Sequence, residues 1–309
     1  MGEENKTLNT GFILLGFSRH SHQQLLISVM VLPVFLISVL GNLGFLTLTC
    51  SDHHLHKPMY FFLSNLSFLD ICNTSVTLST LLETLLKEKT YISFSLCMTQ
   101  LYCFISFISI EFFLLTAMAY DRYVAICNPL RYPLIMNKSV CILLMAASWI
   151  TGFLEQIPVE VFISQFSYCG IKKINHFFCD LNAIIKLSCS DTHILETLII
   201  TEGAFVTFFP FILTLSSYIF IIKAILKIRS SKGRHKAFST CSSHLTVVFL
   251  FYGTLISIYM RPSSMYSPDL DKMFSLLYTA LTPMLNPIIY SLRNQEVKTA
   301  LRKVRDRKQ

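Results

Sequence analysis

The chain has 309 residues, of which 53% are hydrophobic and only 14% charged, with a mean hydropathy of +0.55. Soluble domains carry roughly 25% charged residues, so this balance excludes an ordinary water-soluble domain. The formal charge of +8 gathers in short segments between apolar runs, a topology signal rather than a nucleic-acid-binding surface.

Apolar stretches long enough to cross a bilayer run over about 25–50, 58–80, 97–122, 139–160, 196–228, 236–261 and 271–292. An odd number of spans puts the termini on opposite sides. Lys223, Lys227, Arg229, Lys232, Arg234 and Lys236 lie between the fifth and sixth or at their facing ends, and Arg302, Lys303, Arg305, Arg307 and Lys308 lie in the tail. Those segments are therefore expected inside and the amino terminus outside. Asn5-Lys6-Thr7 is an N-glycosylation sequon on that outer end. The first residues show no basic-then-apolar signal-peptide pattern, and Lys6 argues against myristoylation at Gly2. The reading is an all-α membrane protein of one domain: 1–24 outside, 25–292 in the bilayer, 293–309 a cytoplasmic helix and tail. No internal repeat is visible, which counts against transporters built from duplicated halves. No His-Glu-x-x-His or Gly-x-Ser-x-Gly motif suggests an enzyme.

Charges in hydrocarbon are costly, so each polar residue within a span invites an explanation. Asp70 in the second span lies about 18 Å above the inner surface, counting from Pro58, and Glu111 in the third lies about 15 Å above it. Two acids at one depth in a poorly solvated space cannot both ionise cheaply, so a shared proton or a bound cation such as sodium is expected. Asn42 and Asn286 lie at comparable depth and are expected to complete the cluster. The third span starts near Cys97 and ends, about 36 Å on, in Met118-Ala119-Tyr120-Asp121-Arg122-Tyr123-Val124-Ala125-Ile126-Cys127. Cys97, Cys169, Cys179 and Cys189 all fall outside, where disulfides persist; four cysteines allow three pairings, and spacing does not choose among them. His176-Phe177-Phe178-Cys179-Asp180 has a metal-like spacing, but a disulfide at Cys179 removes the thiolate that a metal would need. Glu202, one to two turns inside the fifth span, suits an amine or a hydrogen-bond donor, or pairing with Lys186. In the seventh span Pro283-Met284-Leu285-Asn286-Pro287-Ile288-Ile289-Tyr290 predicts a distortion near its cytoplasmic end, because Pro287 lacks an N–H.

Cys97 at one face with Asp-Arg-Tyr at the other, and Asn-Pro-x-x-Tyr in the last span, resemble a rhodopsin-like G-protein-coupled receptor. The wording around Asp121 resembles olfactory receptors in particular. So do Pro58-Met59-Tyr60-Phe61-Phe62-Leu63-Ser64-Asn65-Leu66-Ser67, Ser217-Tyr218, and Lys236-Ala237-Phe238-Ser239-Thr240-Cys241-Ser242-Ser243-His244-Leu245. The match runs over nearly the whole chain. The sixth span has Phe251-Tyr252-Gly253 where most rhodopsin-like receptors have Trp-x-Pro, a departure olfactory receptors share, and Tyr252 takes the place of a Trp-based toggle.

The resemblance implies a seven-transmembrane-helix bundle with a short amphipathic eighth helix and disulfides Cys97–Cys179 and Cys169–Cys189. It implies that Asp121, Arg122, Tyr123, Tyr218, Asn286, Pro287 and Tyr290 form the switch. On activation, Tyr218 and Tyr290 would swing inward and Arg122 would leave Asp121 to meet a heterotrimeric stimulatory G protein, raising cyclic AMP. An outer-half pocket would be lined by Phe104, Ile105, Ile108 and Ser109, which recur at helical spacing, and by Tyr252, Leu255, Ile256 and Tyr259. Glu202, Gly203, Val206, Thr207, Leu276 and Thr279 complete the walls by analogy. Such a cavity suits a small, mostly apolar odorant with one polar group. The implied location is the plasma membrane of olfactory cilia, with membrane lipid and a trafficking chaperone as further partners. An ectopic receptor for a non-odorant metabolite is the alternative, which sequence alone does not separate.

Overall fold

The computed structural model describes residues 11–17, 21–87, 90–259, 268–293 and 295–306. In chain order these form β1 (Phe12–Leu14), α1 (Ser21–Ser51), α2 (Pro58–Leu86), β2 (Thr90–Ile92), α3 (Phe94–Cys127), α4 (Tyr132–Ile135), α5 (Lys138–Leu154) and α6 (Gln156–Gln165). Next come β3 (Lys173–Ile174), α7 (Leu181–Ile185), α8 (His193–Leu226), α9 (Ser231–Tyr259) and α10 (Pro268–Leu276). A π-helical stretch, Leu277–Leu281, leads into α11 (Thr282–Arg293), followed by α12 (Gln295–Asp306).

Local sequence sets the helix ends. Pro58 opens α2 at a position where its missing N–H costs nothing. The Ser93 hydroxyl caps α3 by accepting from Leu96 N at 3.3 Å, and Asn137 caps α5 by accepting from Val140 N at 3.0 Å. Among the described residues, four helical stretches are long and apolar enough to cross a membrane: Ile27–Ser51, Phe94–Cys127, Lys138–Gln165 and His193–Leu226. The polar residues that make α2 less apolar, Ser67, Asp70, Asn73, Thr74 and Thr77, are all buried against its neighbours. Conversely, α1 and α8 turn Met30, Leu40, Phe205, Phe209 and Ile212 outward, as a lipid-facing surface requires.

The central helix is α3, which packs on α2, α5 and α8, while α1 packs on α2 and α11. Lipid tails are as apolar as leucine, so helices in a bilayer associate through close packing and polar contacts rather than through hydrophobic driving force. Gly41 shows the packing part: a Cβ there would meet Pro287 Cγ at 3.2 Å, so glycine lets α1 approach α11. The amphipathic α12 buries Val297 and Ala300, and Glu296 ties it to the start of α2 by accepting from Lys57 Nζ at 2.5 Å and Tyr60 Oη at 2.8 Å.

Three features differ from the sequence expectation. The chain is not purely helical, because β1 pairs antiparallel with β2 (Phe12↔Ile92) and parallel with β3 (Ile13↔Lys173). Strands of two or three residues carry no periodic signal, yet their Phe12, Leu14, Ile92 and Ile174 form a buried outer cluster with Cys97 and Cys179. Secondly, α9 begins at Ser231, ahead of the expected 236, because a helix continues through polar residues that apolarity does not register. Thirdly, the seventh-segment irregularity is the π-helical stretch Leu277–Leu281, upstream of Pro287, and α11 passes through Pro287 as helix.

Candidate functional site

On the outer side, the structure joins Cys97 to Cys179 and Cys169 to Cys189. The first bond fixes the loop between α6 and α8 to the top of α3. Gln100, one turn along α3, reinforces it: its Oε1 accepts from Cys179 N at 2.9 Å, and its Nε2 donates to Val76 O at 2.6 Å. The loop thereby brings Phe178 onto Phe104, with ring centroids 4.7 Å apart.

His176 lies in the same loop, buried between Phe177 and Phe178, and neither ring nitrogen has a hydrogen-bond partner among the described residues. Burial, with the Lys272 ammonium as a second cause, pushes this imidazole from its usual 6.5 down to about 3. The folded chain then resists a proton that the unfolded chain accepts. Stability is accordingly full above the ordinary histidine value and falls as pH drops below it, by up to about 1.4 kcal/mol per pH unit. His176→Phe should flatten this decline in the melting temperature of purified protein between about pH 7 and about pH 5; an unchanged slope would contradict the assignment. With Cys179 in a disulfide, His176 has no thiolate partner for a metal, and no group of three or more metal-ligating side chains occurs among the described residues.

Beneath the loop, Phe104, Ile108, Val206, Tyr252 and Leu255 belong to one buried core, with Ile105 and Leu276 partly buried against it. Thr279 is buried and donates to Ser275 O at 2.8 Å. Tyr252 packs its ring against Phe112 and Phe211, at 5.0 Å from each, and its hydroxyl has no hydrogen-bond partner among the described residues. Ser109 is buried with its hydroxyl turned to Glu155, which also lies near Glu202. Glu202 Oε2 has no hydrogen-bond partner among the described residues. Thr207 is half-buried, whereas Gly203 is exposed with open space beside its Cα, so it forms no packed wall. The side chains of Ile256, Tyr259 and Tyr290, and Asn5 entirely, lie outside the described residues.

Below this core a polar network begins. Tyr278 packs under Phe104 at 6.1 Å and against Phe251 at 5.9 Å, and its hydroxyl donates to Glu111 Oε2 at 3.3 Å. Glu111 and Asp70 are both buried, each held by a donor from the seventh segment. Asn286 Nδ2 donates to Asp70 Oδ2 at 2.9 Å, while Glu111 Oε1 has no hydrogen-bond partner among the described residues. Asn42 does not join the carboxylates. Its Nδ2 donates to Ser38 O and to Pro283 O, both at 2.9 Å. The reason lies in Pro287: without an N–H, it leaves the carbonyl four residues back unsatisfied, and Asn42 supplies the missing donor.

At the inner end, Asp121 is fully buried, and its Oδ2 lies 3.8 Å from Arg122 Nε. Tyr132 of α4 donates to Asp121 Oδ1 at 2.7 Å. Tyr132→Phe removes this charge-assisted bond and should destabilise the protein by about 1.5–3 kcal/mol, read as a lower melting temperature; an unshifted melt would contradict it. Tyr123 packs on Phe220 of α8. Tyr218 Oη lies 2.6 Å from His244 Nδ1, and His244 Nε2 lies 3.1 Å from Leu115 O. Because a carbonyl only accepts, Nε2 carries the proton, and the Tyr218 hydroxyl donates to Nδ1. One buried imidazole thus ties α3, α8 and α9 together. His244, Tyr132, Tyr278 and Gln100 were not among the expected site residues, although a histidine inside an apolar span is itself a signal.

Comparison with known proteins agrees with this geometry. The olfactory receptor family model matches residues 31–308. Mouse (Mus musculus) olfactory receptor 5AR1 is 46% identical over 304 residues, covering 98% of both chains. Human (Homo sapiens) olfactory receptor 5I1 is 48% identical over 302 residues, covering 98% of this chain and 96% of its own. Human olfactory receptor 13F1 is 48% identical over 293 residues, covering 95% of this chain and 92% of its own. With the Asp121–Arg122 pair, the Asn286–Asp70 bond and the disulfide-anchored loop all in place, the chain belongs to the olfactory receptor family.

Proposed function

We propose that this odorant receptor crosses the plasma membrane seven times, with α2, α9 and the α10–α11 segment joining the four apolar helices and α12 lying on the inner leaflet. It binds a small, mostly apolar odorant in the outer half and activates a stimulatory G protein that raises cyclic AMP. The observation that carries this reading is the position of Tyr278. Its ring touches Phe104 and Phe251 in the outer core, while its hydroxyl holds Glu111 in the polar network. A ligand that displaces those rings therefore acts on Glu111 and Asp70, and through Asn286 on the helix that carries Pro287.

The ligand would shift the receptor only by its differential contacts with the two arrangements, and ligand and G protein would strengthen each other's binding equally. Arg122 would leave Asp121 and contact the G-protein α-subunit, with Tyr218 and Tyr290 turning inward. Between Asp70 and Glu111, one shared proton or one sodium ion would relieve the repulsion. Membrane lipid surrounds the bundle, and a trafficking chaperone assists its passage to the surface.

Among the described residues, Tyr252 Oη on α9 and Glu202 Oε2 on α8 have no hydrogen-bond partner, and Tyr252 is the more deeply buried. The test is cyclic AMP in cells expressing the receptor, challenged with a diverse odorant panel including amines. Tyr252→Phe should weaken a neutral, hydrogen-bonding odorant by about tenfold, the worth of one hydrogen bond, and Glu202→Gln should leave it unchanged. A response lost with Glu202→Gln and retained with Tyr252→Phe would overturn the neutral-odorant reading in favour of amines.

A further inference from the structure

A groove of about 500 Å³ opens between α3, α5 and α8, well below the outer core and on the lipid-facing side of the bundle. Phe113 and Tyr120 on α3, Leu144 and Ser148 on α5, and Leu213 and Phe220 on α8 define its walls. Several of its hydroxyl groups are spent within their own helices: Ser148 donates to Leu144 O at 2.8 Å and Ser217 to Leu213 O at 2.9 Å. Thr116 is likewise occupied, at 3.0 Å from Phe112 O and 3.1 Å from the Thr214 hydroxyl. From Phe113 to Tyr123 the helix rises about 15 Å, half the roughly 30 Å of a hydrocarbon core. The groove is one leaflet deep.

Its cytoplasmic mouth carries a charge. Lys223 follows Phe220 by one helical turn and holds Nζ 5.9 Å from the Phe220 ring. Lys223 forms no ion pair among the described residues. An apolar slot one leaflet long, ending at an unpaired ammonium, suits one ligand class. We propose that the groove binds an acidic phospholipid of the inner leaflet, with one acyl chain in the slot and its phosphate at Lys223. A sterol fills such a slot but leaves the ammonium unmatched. A choline lipid brings its own cation beside Lys223. The assignment rests on the membrane orientation proposed above and not on the odorant. A chain seated here braces α3 against α5 and α8, one turn from the Asp121–Arg122 pair.

The test uses the full-length receptor in phosphatidylcholine vesicles containing either photoactivatable phosphatidylserine or photoactivatable phosphatidylcholine, each with a diazirine on the acyl chain. No agonist is needed, so failure here is separable from failure of the odorant reading. Crosslinks should map to 144–151 and 213–220, with phosphatidylserine favoured about fivefold, the preference one lysine near an acidic surface confers. Lys223→Gln should reduce phosphatidylserine labelling to the phosphatidylcholine level, and Ala147→Phe, which fills the groove from α5, should remove both. Melting temperature identifies a misfolded variant; Lys223→Gln, on an exposed side chain, decides the matter if Ala147→Phe does not fold. Equal labelling by the two lipids would mean ordinary surrounding lipid and overturn the proposal. So would a phosphatidylserine preference that survives Lys223→Gln, or displacement of the label by a sterol and not by unlabelled phosphatidylserine.

Discussion

Serine at Cys97 or Cys179 is expected to remove the receptor from the cell surface, whereas serine at Cys169 or Cys189 should leave a measurable fraction there. The two bridges differ in what they close. Cys97–Cys179 spans 82 residues and Cys169–Cys189 only 20, so the first restrains more of the unfolded chain. Both Cys97 and Cys179 are also fully buried, and Cys179 N is held by Gln100 on α3. Loss of such a bridge costs about 2–5 kcal/mol, a large share of the stability of most folded chains. Surface labelling of intact cells, set against total expression, measures the effect. Equal surface fractions for the two pairs of variants would contradict the packing argument.

His244→Phe is the second large effect, and its direction is opposite: higher ligand-independent cyclic AMP per surface receptor. The imidazole satisfies Leu115 O on α3 and the Tyr218 hydroxyl on α8 simultaneously. Phenylalanine keeps the ring's bulk and loses both bonds, each leaving a buried polar group that costs about 1–3 kcal/mol. The arrangement that depends on those bonds loses population, and Tyr218 is freed to turn inward. A shift of 1–3 kcal/mol changes a two-state equilibrium by roughly 5- to 150-fold. Tyr218→Phe removes one of the two bonds and should give a smaller rise. Basal signalling in both variants no different from the parent would show that this contact does not restrain the receptor.

Much of this site was legible in the sequence, because the bilayer converts residue count into depth. Asp70 and Glu111 were placed at one level by counting from Pro58 and Asp121; in the structure Asn286 donates to the first and Tyr278 to the second. The same counting put Asn42 at that level and misread its partner. Depth along a helix says nothing about the face a side chain occupies. The missing N–H of Pro287, and the carbonyl of Pro283 that it exposes, decided where Asn42 went. Gly203 failed similarly: it lies at pocket depth on an exposed face. The outer sheet was invisible because β1, β2 and β3 are too short for a period, and their order is set by the disulfide-anchored loop rather than by local propensity. Tyr132 was missed because its partner, Asp121, lies in another helix, and no spacing rule connects the first residue of α4 to a buried carboxylate on α3.

The most direct test of the central claim is odorant-evoked cyclic AMP in matched cells that carry or lack the stimulatory G-protein α-subunit, with surface receptor equal in both. The account predicts a dose-dependent rise for at least one small apolar odorant when the subunit is present, and none when it is absent. A response that persists without the subunit, or silence across the panel with receptor at the surface and the subunit present, would contradict it.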